Sequence, residues 1–310
     1  MQTYLNATKL HLSAMPIEFE IIFSGAVMKL LPMLLFLFLQ TSLFAKPSIV
    51  VSITPQKTFV QKIAGDMAKV TVMVPQGASP HSYEPKVSQM VALSKADIYF
   101  SIGVEFEEAW LGKFQSQNKN LKFIDMAAGV EKFKMVAHHH EHYNNHDKEH
   151  DELDPHIWTS PKNVAIMSQT IYEKLAQLDP QHQQLYKQNL IDFLAEIDNT
   201  DTKIKAIFKT LKPGTSFMVF HPSWGYFAKE YHLKQIAVEV EGKNPKPKEM
   251  IEIIKEAKEE NVKAIFTQPE FSDKSAKTIA KETGITVEKI SPLNANWSQN
   301  LILMANTIAK

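Results

Sequence analysis

The chain has 310 residues, 44% of them hydrophobic and 22% charged, and its 34 basic and 34 acidic side chains cancel to a net charge of zero. That length accommodates two ordinary domains, and the charge balance excludes the concentrated basic face that a nucleic-acid partner demands. There is no cysteine, which excludes disulfides, thiolate zinc clusters, thiol nucleophiles and a lipid anchor attached through a cysteine.

The first informative segment is the apolar run Leu30–Phe38, LLPMLLFLF, preceded by Met28 and Lys29 and followed by a polar stretch to Ala45 and Lys46. A charged start, a short apolar run and a small residue before a lysine have the order of a secretory signal over residues 28–45, cleaved after Ala45. The run is too short to span a bilayer comfortably. Leu43 stands where a small residue is usual, so an uncleaved anchor is the alternative. Residues 1–27 do not resemble the start of a signal, and translation is expected to begin at Met28. A secreted, unanchored protein that must stay near the cell fits a Gram-negative periplasm.

From Ser48 onward, short β-branched runs alternate with amphipathic stretches, the pattern of α/β layering with parallel strands. Strands are predicted at Ile49–Ile53, Lys69–Val74, Ile98–Ile102, Lys122–Asp125 and Phe133–Val136, with helices near Thr58–Gly65, Pro85–Ala96 and Phe106–Gln115. Together with a helix over Pro161–Leu178 they make a first lobe, residues 46–178. Over Pro180–Leu211, apolar Leu185, Leu190, Phe193, Ile197, Ile204, Ile207 and Phe208 recur at the spacing of one helix face, and Lys212, Pro213 and Gly214 stop the run. This predicts a long linking helix, residues 179–212. The second lobe, 213–310, has strands expected at Ser216–Phe220, Gln235–Val240, Lys263–Thr267 and Thr286–Ile290. Its helices are expected near Trp224–Tyr231, Lys248–Asn261, Asp273–Thr283 and Trp297–Ala309. The fold class is therefore α/β, two similar (β/α) lobes joined by one long rigid helix. Neither GxGxxG nor GxxxxGK[ST] occurs, so no phosphate-cradling loop is expected.

Seven histidines crowd into residues 138–156, HHHEHYNNHDKEHDELDPH. Such a tract is either a solvated loop with incidental metal affinity or part of a chain that handles zinc, copper or nickel. Three histidines share a more specific setting. His81 follows the Lys69–Val74 strand among prolines, His156 lies in Asp154-Pro155-His156 directly after the tract, and His221 ends the Ser216–Phe220 strand. Ligands of open α/β sheets gather beyond the carboxyl ends of strands, and three neutral imidazoles leave one position of a zinc tetrahedron open. Taken singly, each histidine also reads as a hydrogen-bonded structural residue at a turn.

The segments Gly77–Pro85 (GASPHSYEP), Asp154–Trp158 (DPHIW) with Ser160 and Pro161, and Phe220-His221 with Gly225-Tyr226, plus the charged tract before Asp154, closely resemble the ZnuA family. These are the zinc-binding components of bacterial zinc ABC importers, and the resemblance covers about residues 48–310. It implies metal in the cleft between two lobes, held by His81, His156 and His221, and a function of capturing Zn2+ for an ABC permease and its ATPase. Related manganese carriers place a carboxylate where His221 stands, so its identity favours zinc. The family's aspartate before Pro-Leu is Ser291 here, which leaves the fourth position to water, to Glu105 or to a loop histidine. Asp154, Glu84 and Glu270 are candidate carboxylates for the far nitrogens of the imidazoles. Tyr83, Trp158, Trp224 and Tyr226 either wall the cleft or pack in the core.

On this reading His138, His139, His140, His142, His146 and His150 form an auxiliary collector of weak sites. The protein is expected to be a monomer that meets the inner membrane only through the permease. Release is expected from small rotations of the second lobe. A receptor for manganese, iron or nickel is the nearer alternative, and a metal buffer or adhesin without a transport partner is another. A zinc hydrolase lacks support: there is no HExxH pair and no clear general base beside a histidine.

Overall fold

The β-branched runs and the amphipathic stretches between them sort into two parallel sheets in a computed structural model, which describes residues 46–135, 153–240 and 243–310. The first lobe runs β1 (Ser48–Ile53), α1 (Thr54–Ala64), β2 (Lys69–Val74), α2 (Val87–Leu93), β3 (Ile98–Ser101), α3 (Glu105–Gln117) and β4 (Lys122–Asp125). Two helices follow, α4 (Pro161–Leu178) and α5 (Gln183–Ile207). The second lobe runs β5 (Ser216–Val219), α6 (Gly225–Glu230), β6 (Lys234–Ala237), α7 (Pro247–Glu259), β7 (Ala264–Thr267), α8 (Lys274–Thr283), β8 (Thr286–Lys289) and α9 (Trp297–Ile308).

The sheets have the orders β2-β1-β3-β4 and β6-β5-β7-β8, with every neighbouring pair parallel. In each, the chain leaves the first strand to one side and returns on the other, so a crevice opens at the carboxyl ends of β1 and β3 and of β5 and β7. The likeness of the lobes extends to sequence. Pro85-Lys86 with Gln89-Met90-Val91 opens α2, and Pro245-Lys246 with Glu249-Met250-Ile251 opens α7. In both, the third helical residue reaches back to the lysine N–H, Lys86 to Gln89 Oε1 at 2.8 Å and Lys246 to Glu249 Oε2 at 2.6 Å, satisfying a donor that a helix start leaves orphaned.

The linking helix is shorter than the periodicity predicts. Its α-helical part has 25 residues, about 37 Å at 1.5 Å each, flanked by 3-10 turns over Pro180–His182 and Phe208–Thr210. Its buried face also differs at the start: Leu185 is 42% exposed and Tyr186 is buried instead. The cause is Asp179, whose Oδ2 accepts from the Tyr186 hydroxyl at 2.6 Å and from His182 Nδ1 at 2.7 Å, fixing the first turn. Helices α1, α4 and α9 pack on α5. Phe59, Phe193 and Trp297 meet there, with ring centroids 5.8 and 5.7 Å apart, contacts worth about 0.5–1.5 kcal/mol each beyond their burial.

One core runs from the first sheet through these helices to Phe217, Val219, Ala264 and Phe266 on one face of the second sheet. The other face packs Met218, Ile236 and Ile265 against Ile253 of α7 and Ile279 of α8. The lobes are thus joined by apolar packing as well as by α5. Hydrogen bonds cross as well: Trp158 Nε1 donates to Pro292 O at 2.8 Å, Thr58 to Ala295 O at 2.9 Å and the Tyr226 hydroxyl to Asp154 O at 2.9 Å.

The expected strand at Phe133–Val136 is absent from its described part. Lys134 forms an isolated antiparallel bridge to Leu153 rather than a strand, so among the described residues β4 is the sheet edge. Phe133 packs on Tyr226 of the second lobe instead, centroids 4.3 Å apart. Val136, the signal over 28–45, the extension 1–27 and the tract histidines His138 to His150 lie outside the described residues. Among those described, no helix is long and apolar enough to cross a membrane.

Candidate metal centre

Each of the three histidines is set by a local device readable in its neighbours. His81 sits in the turn after β2, which Gly77 opens with a φ of +85°, a conformation that favours glycine. At His156, the Asp154 carboxylate accepts from the His156 backbone N–H at 2.8 Å, an Asx turn before Pro155 closes the loop. Ser160 then caps α4 through the Asn163 N–H, with Pro161 at the first helical position. His221 lies two residues beyond β5, where Gln268, one residue beyond β7, accepts from its N–H at 2.9 Å and donates to Ser223 Oγ at 2.6 Å. His156 and His221 are both 7% exposed, whereas the His81 side chain is 36% exposed.

All three imidazoles present Nδ1 to a carboxylate. His156 Nδ1 is 2.7 Å from Asp154 Oδ1, His221 Nδ1 is 2.8 Å from Glu239 Oε1 and His81 Nδ1 is 3.0 Å from Glu105 Oε1. A carboxylate can only accept, so each Nδ1 carries a proton, and whenever the ring is neutral Nε2 is the nitrogen left with a lone pair. Nε2 of His221 is buried without a hydrogen-bond partner. Burial raises the Glu105 carboxyl, but the hydrogen bond and charge of His81 outweigh it and bring it down to about 2. Burial lowers the His221 imidazole against the raising pull of Glu239, with His156 and His81 adding to the lowering.

The rings converge. His221 stands edge-on to both partners, its centroid 4.8 Å from that of His81 and 5.2 Å from that of His156. Two imidazoles bound through one nitrogen to a tetrahedral zinc at about 2.0–2.1 Å have centroids about 5 Å apart. Among the described residues, no group of three or more His, Asp or Glu side chains stands already closed on one point. The rings converge, and their donor atoms are not yet closed on one point. The cavity between them has about 20 Å³ of free volume, lined also by Trp158, Glu270 and Phe271, room for about one water-sized species. Phe271 stacks on His221 at 29° with centroids 5.5 Å apart.

A profile of the zinc-uptake complex component A family, periplasmic, matches residues 49–310. The chain belongs to that family. Two crystal structures are similar. One is of ZnuA, with a TM-score of 0.77 and 43% identity over 86% of this chain and 98% of that one. The other is of a ZnuA deletion mutant with zinc bound, with a TM-score of 0.76 and 42% identity over 86% and 97%. The high-affinity zinc uptake system protein ZnuA of Bacillus subtilis is 26% identical over 253 residues, 80% of this chain and 79% of its own. The protein is a zinc-binding solute-binding protein of the kind that serves ABC uptake systems, and it is not an enzyme. Such systems imply a permease and an ATPase as partners and a place outside the cytoplasm.

Of the carboxylates singled out in the sequence, Asp154 holds an imidazole, Glu84 is exposed, and Glu270 accepts from Ser291 Oγ at 2.7 Å rather than from a histidine. Glu105, a candidate for the fourth position, is engaged with the far nitrogen of His81. Glu239 and Gln268 were missed, although Gln268 directly follows β7 and Glu239 lies two residues beyond β6, a position at strand ends that is the signal that finds them. Of the aromatics, Trp158 lines the cavity, whereas Trp224 and Tyr226 are core residues.

Proposed function

We propose that this protein captures Zn2+ between its lobes through Nε2 of His81, His156 and His221, and delivers it to an ABC permease driven by its ATPase for high-affinity zinc uptake. The observation that carries the reading is the convergence of three imidazoles, each turned by a carboxylate on Nδ1, which makes Nε2 the metal-binding nitrogen of the neutral ring. Imidazole-rich donor sets suit zinc, whereas manganese and magnesium want more oxygen. The zinc-bound ZnuA relative supports the choice of metal.

The mature protein works in a Gram-negative periplasm after removal of the signal over 28–45, as a monomer that touches the inner membrane only through the permease. His138, His139, His140, His142, His146 and His150 act as an auxiliary collector beside the tight site. Deleting the tract leaves one tight zinc per protein and removes the weak sites; loss of the tight site on deletion contradicts this role. The central test is competitive titration of the purified apo-protein with Zn2+ and Mn2+. Native protein prefers Zn2+, and H156A and H221A each lose tight binding. A preference for Mn2+, or native affinity in both variants, overturns the reading.

A further inference from the structure

Two carboxylates line the cavity of the three histidines, Glu105 and Glu270. Glu105 is committed to the His81 ring. Glu270 is held at one oxygen only: Oε1 accepts from Ser291 Oγ, while Oε2 is buried with no hydrogen-bond partner. The buried unpartnered oxygens of Asp154 and Glu239 belong to carboxylates that sit behind His156 and His221 and do not line the cavity. A buried carboxylate oxygen without a donor costs free energy unless a cation answers it.

Ser291 is itself anchored. Its Oγ accepts from Leu293 N–H at 3.0 Å and its carbonyl accepts from Asn300 Nδ2 at 2.9 Å, so the hydroxyl that holds Glu270 belongs to a fixed turn. Glu270 lies in the turn after β7, three residues beyond the strand, at the switch point of the second sheet. Three neutral imidazoles bring no charge to a divalent ion. A carboxylate steadied by one oxygen in the same small cavity supplies it.

We infer that Glu270, positioned by Ser291, is the anionic, affinity-setting member of the metal site, its Oε2 offsetting the charge of the bound cation. This rests on the zinc-capture reading above. It is distinct from the role of Glu105, which orients His81.

The test compares E270Q and the double variant E270Q/S291D with native protein, by competition for Zn2+ against a chromogenic chelator near neutral pH and by melting of the apo-proteins. E270Q keeps one zinc per protein, binds it about 10–100-fold more weakly, and melts in the apo form no lower than native. In the double variant the carboxylate returns from the neighbouring position and most of the affinity returns with it. Native affinity in E270Q overturns the inference, as does a fall in apo stability that accompanies the lost affinity, which marks a structural role. H156A and H221A are read alongside. If they lose tight binding while E270Q keeps it, only this inference fails. If they also keep it, the site reading fails first.

Discussion

Gly225 opens α6, yet its importance lies across the cleft. A Cβ built there would stand 2.6 Å from Asp154 Oδ2, with Phe133 ring atoms at 3.3 and 3.4 Å. Ordinary contact begins near 3.4 Å, so in Gly225→Ala the carboxylate must withdraw by about 0.8 Å, because the Phe133 ring, pinned on Tyr226, blocks the other way out. Asp154 is 1% exposed and holds both His156 N–H groups, backbone and Nδ1. The displaced atom is Oδ2, and because the carboxylate moves as one rigid plane its Oδ1 shifts with it and the 2.7 Å bond to His156 Nδ1 is disturbed. Losing such an outer partner costs about 10–100-fold in metal affinity, or about 1.4–2.7 kcal/mol, and overpacking adds about 1–3 kcal/mol of lost stability. Chelator competition measures the first and denaturant unfolding of the apo-protein the second. Gly112→Ala in α3 is the control, since nothing lies within 4 Å of its Cβ; it gains up to about 1 kcal/mol from helix propensity and leaves zinc binding alone. Native zinc affinity in Gly225→Ala would refute the claim that Asp154 sets the His156 ring.

Removing Glu239 by Glu239→Ala strips the buried Nδ1 of His221 of its acceptor and weakens zinc binding by about 10–100-fold; calorimetry showing no change counts against that role. Zinc affinity falls as pH drops below about 6.5, because binding requires neutral imidazoles, and burial moves the share due to His221 to lower pH; affinity that rises toward acid would contradict this. Glu107 is 3% exposed and accepts from Ser52 and from the N–H groups of Ile102 and Gly103. Burial outweighs these bonds and raises its carboxyl from 4.5 to about 7. Its folded form therefore holds a proton that the unfolded chain has lost, and its contribution is complete below 4.5 and disappears as pH rises through about 7. Relative to Glu107→Gln, native apo-protein should lose up to roughly 3 kcal/mol across that window, read from denaturant midpoints; parallel pH profiles for the two proteins defeat the assignment. Trp158→Phe removes the bond to Pro292 across the lobes and should cost about 1 kcal/mol, measured by the same unfolding.

Much of this was legible because local chemistry and tertiary structure agree. The strands Lys69–Val74 and Lys122–Asp125 and the helix Pro161–Leu178 fall where alternation, Ser160 and Pro161 place them. The three histidines were legible for a related reason: each stands at a turn with its own marker, Gly77, Asp154 or the end of β5. What stayed hidden depends on particular side-chain contacts that periodicity does not encode, most of them between separate segments of the chain. Phe133 has strand character, but its aromatic ring packs on Tyr226, 93 positions later by residue number. Leu185 fits the helix period, but the bond from Tyr186 to Asp179 turns the buried face by one residue. Glu239 is an acidic residue after a short strand, unremarked until Phe220 O accepts its N–H at 3.1 Å and brings it beside His221. Gly225 reads as a helix start, and only the approach of Asp154 shows why a side chain is excluded.

The most direct measurement is a crystal structure of the zinc-loaded protein with anomalous scattering recorded at the zinc edge. The account predicts a single strong peak in the cleft, about 2.0–2.1 Å from Nε2 of His81, His156 and His221. A peak elsewhere in the folded protein, or one held by fewer than these three imidazoles, would contradict it.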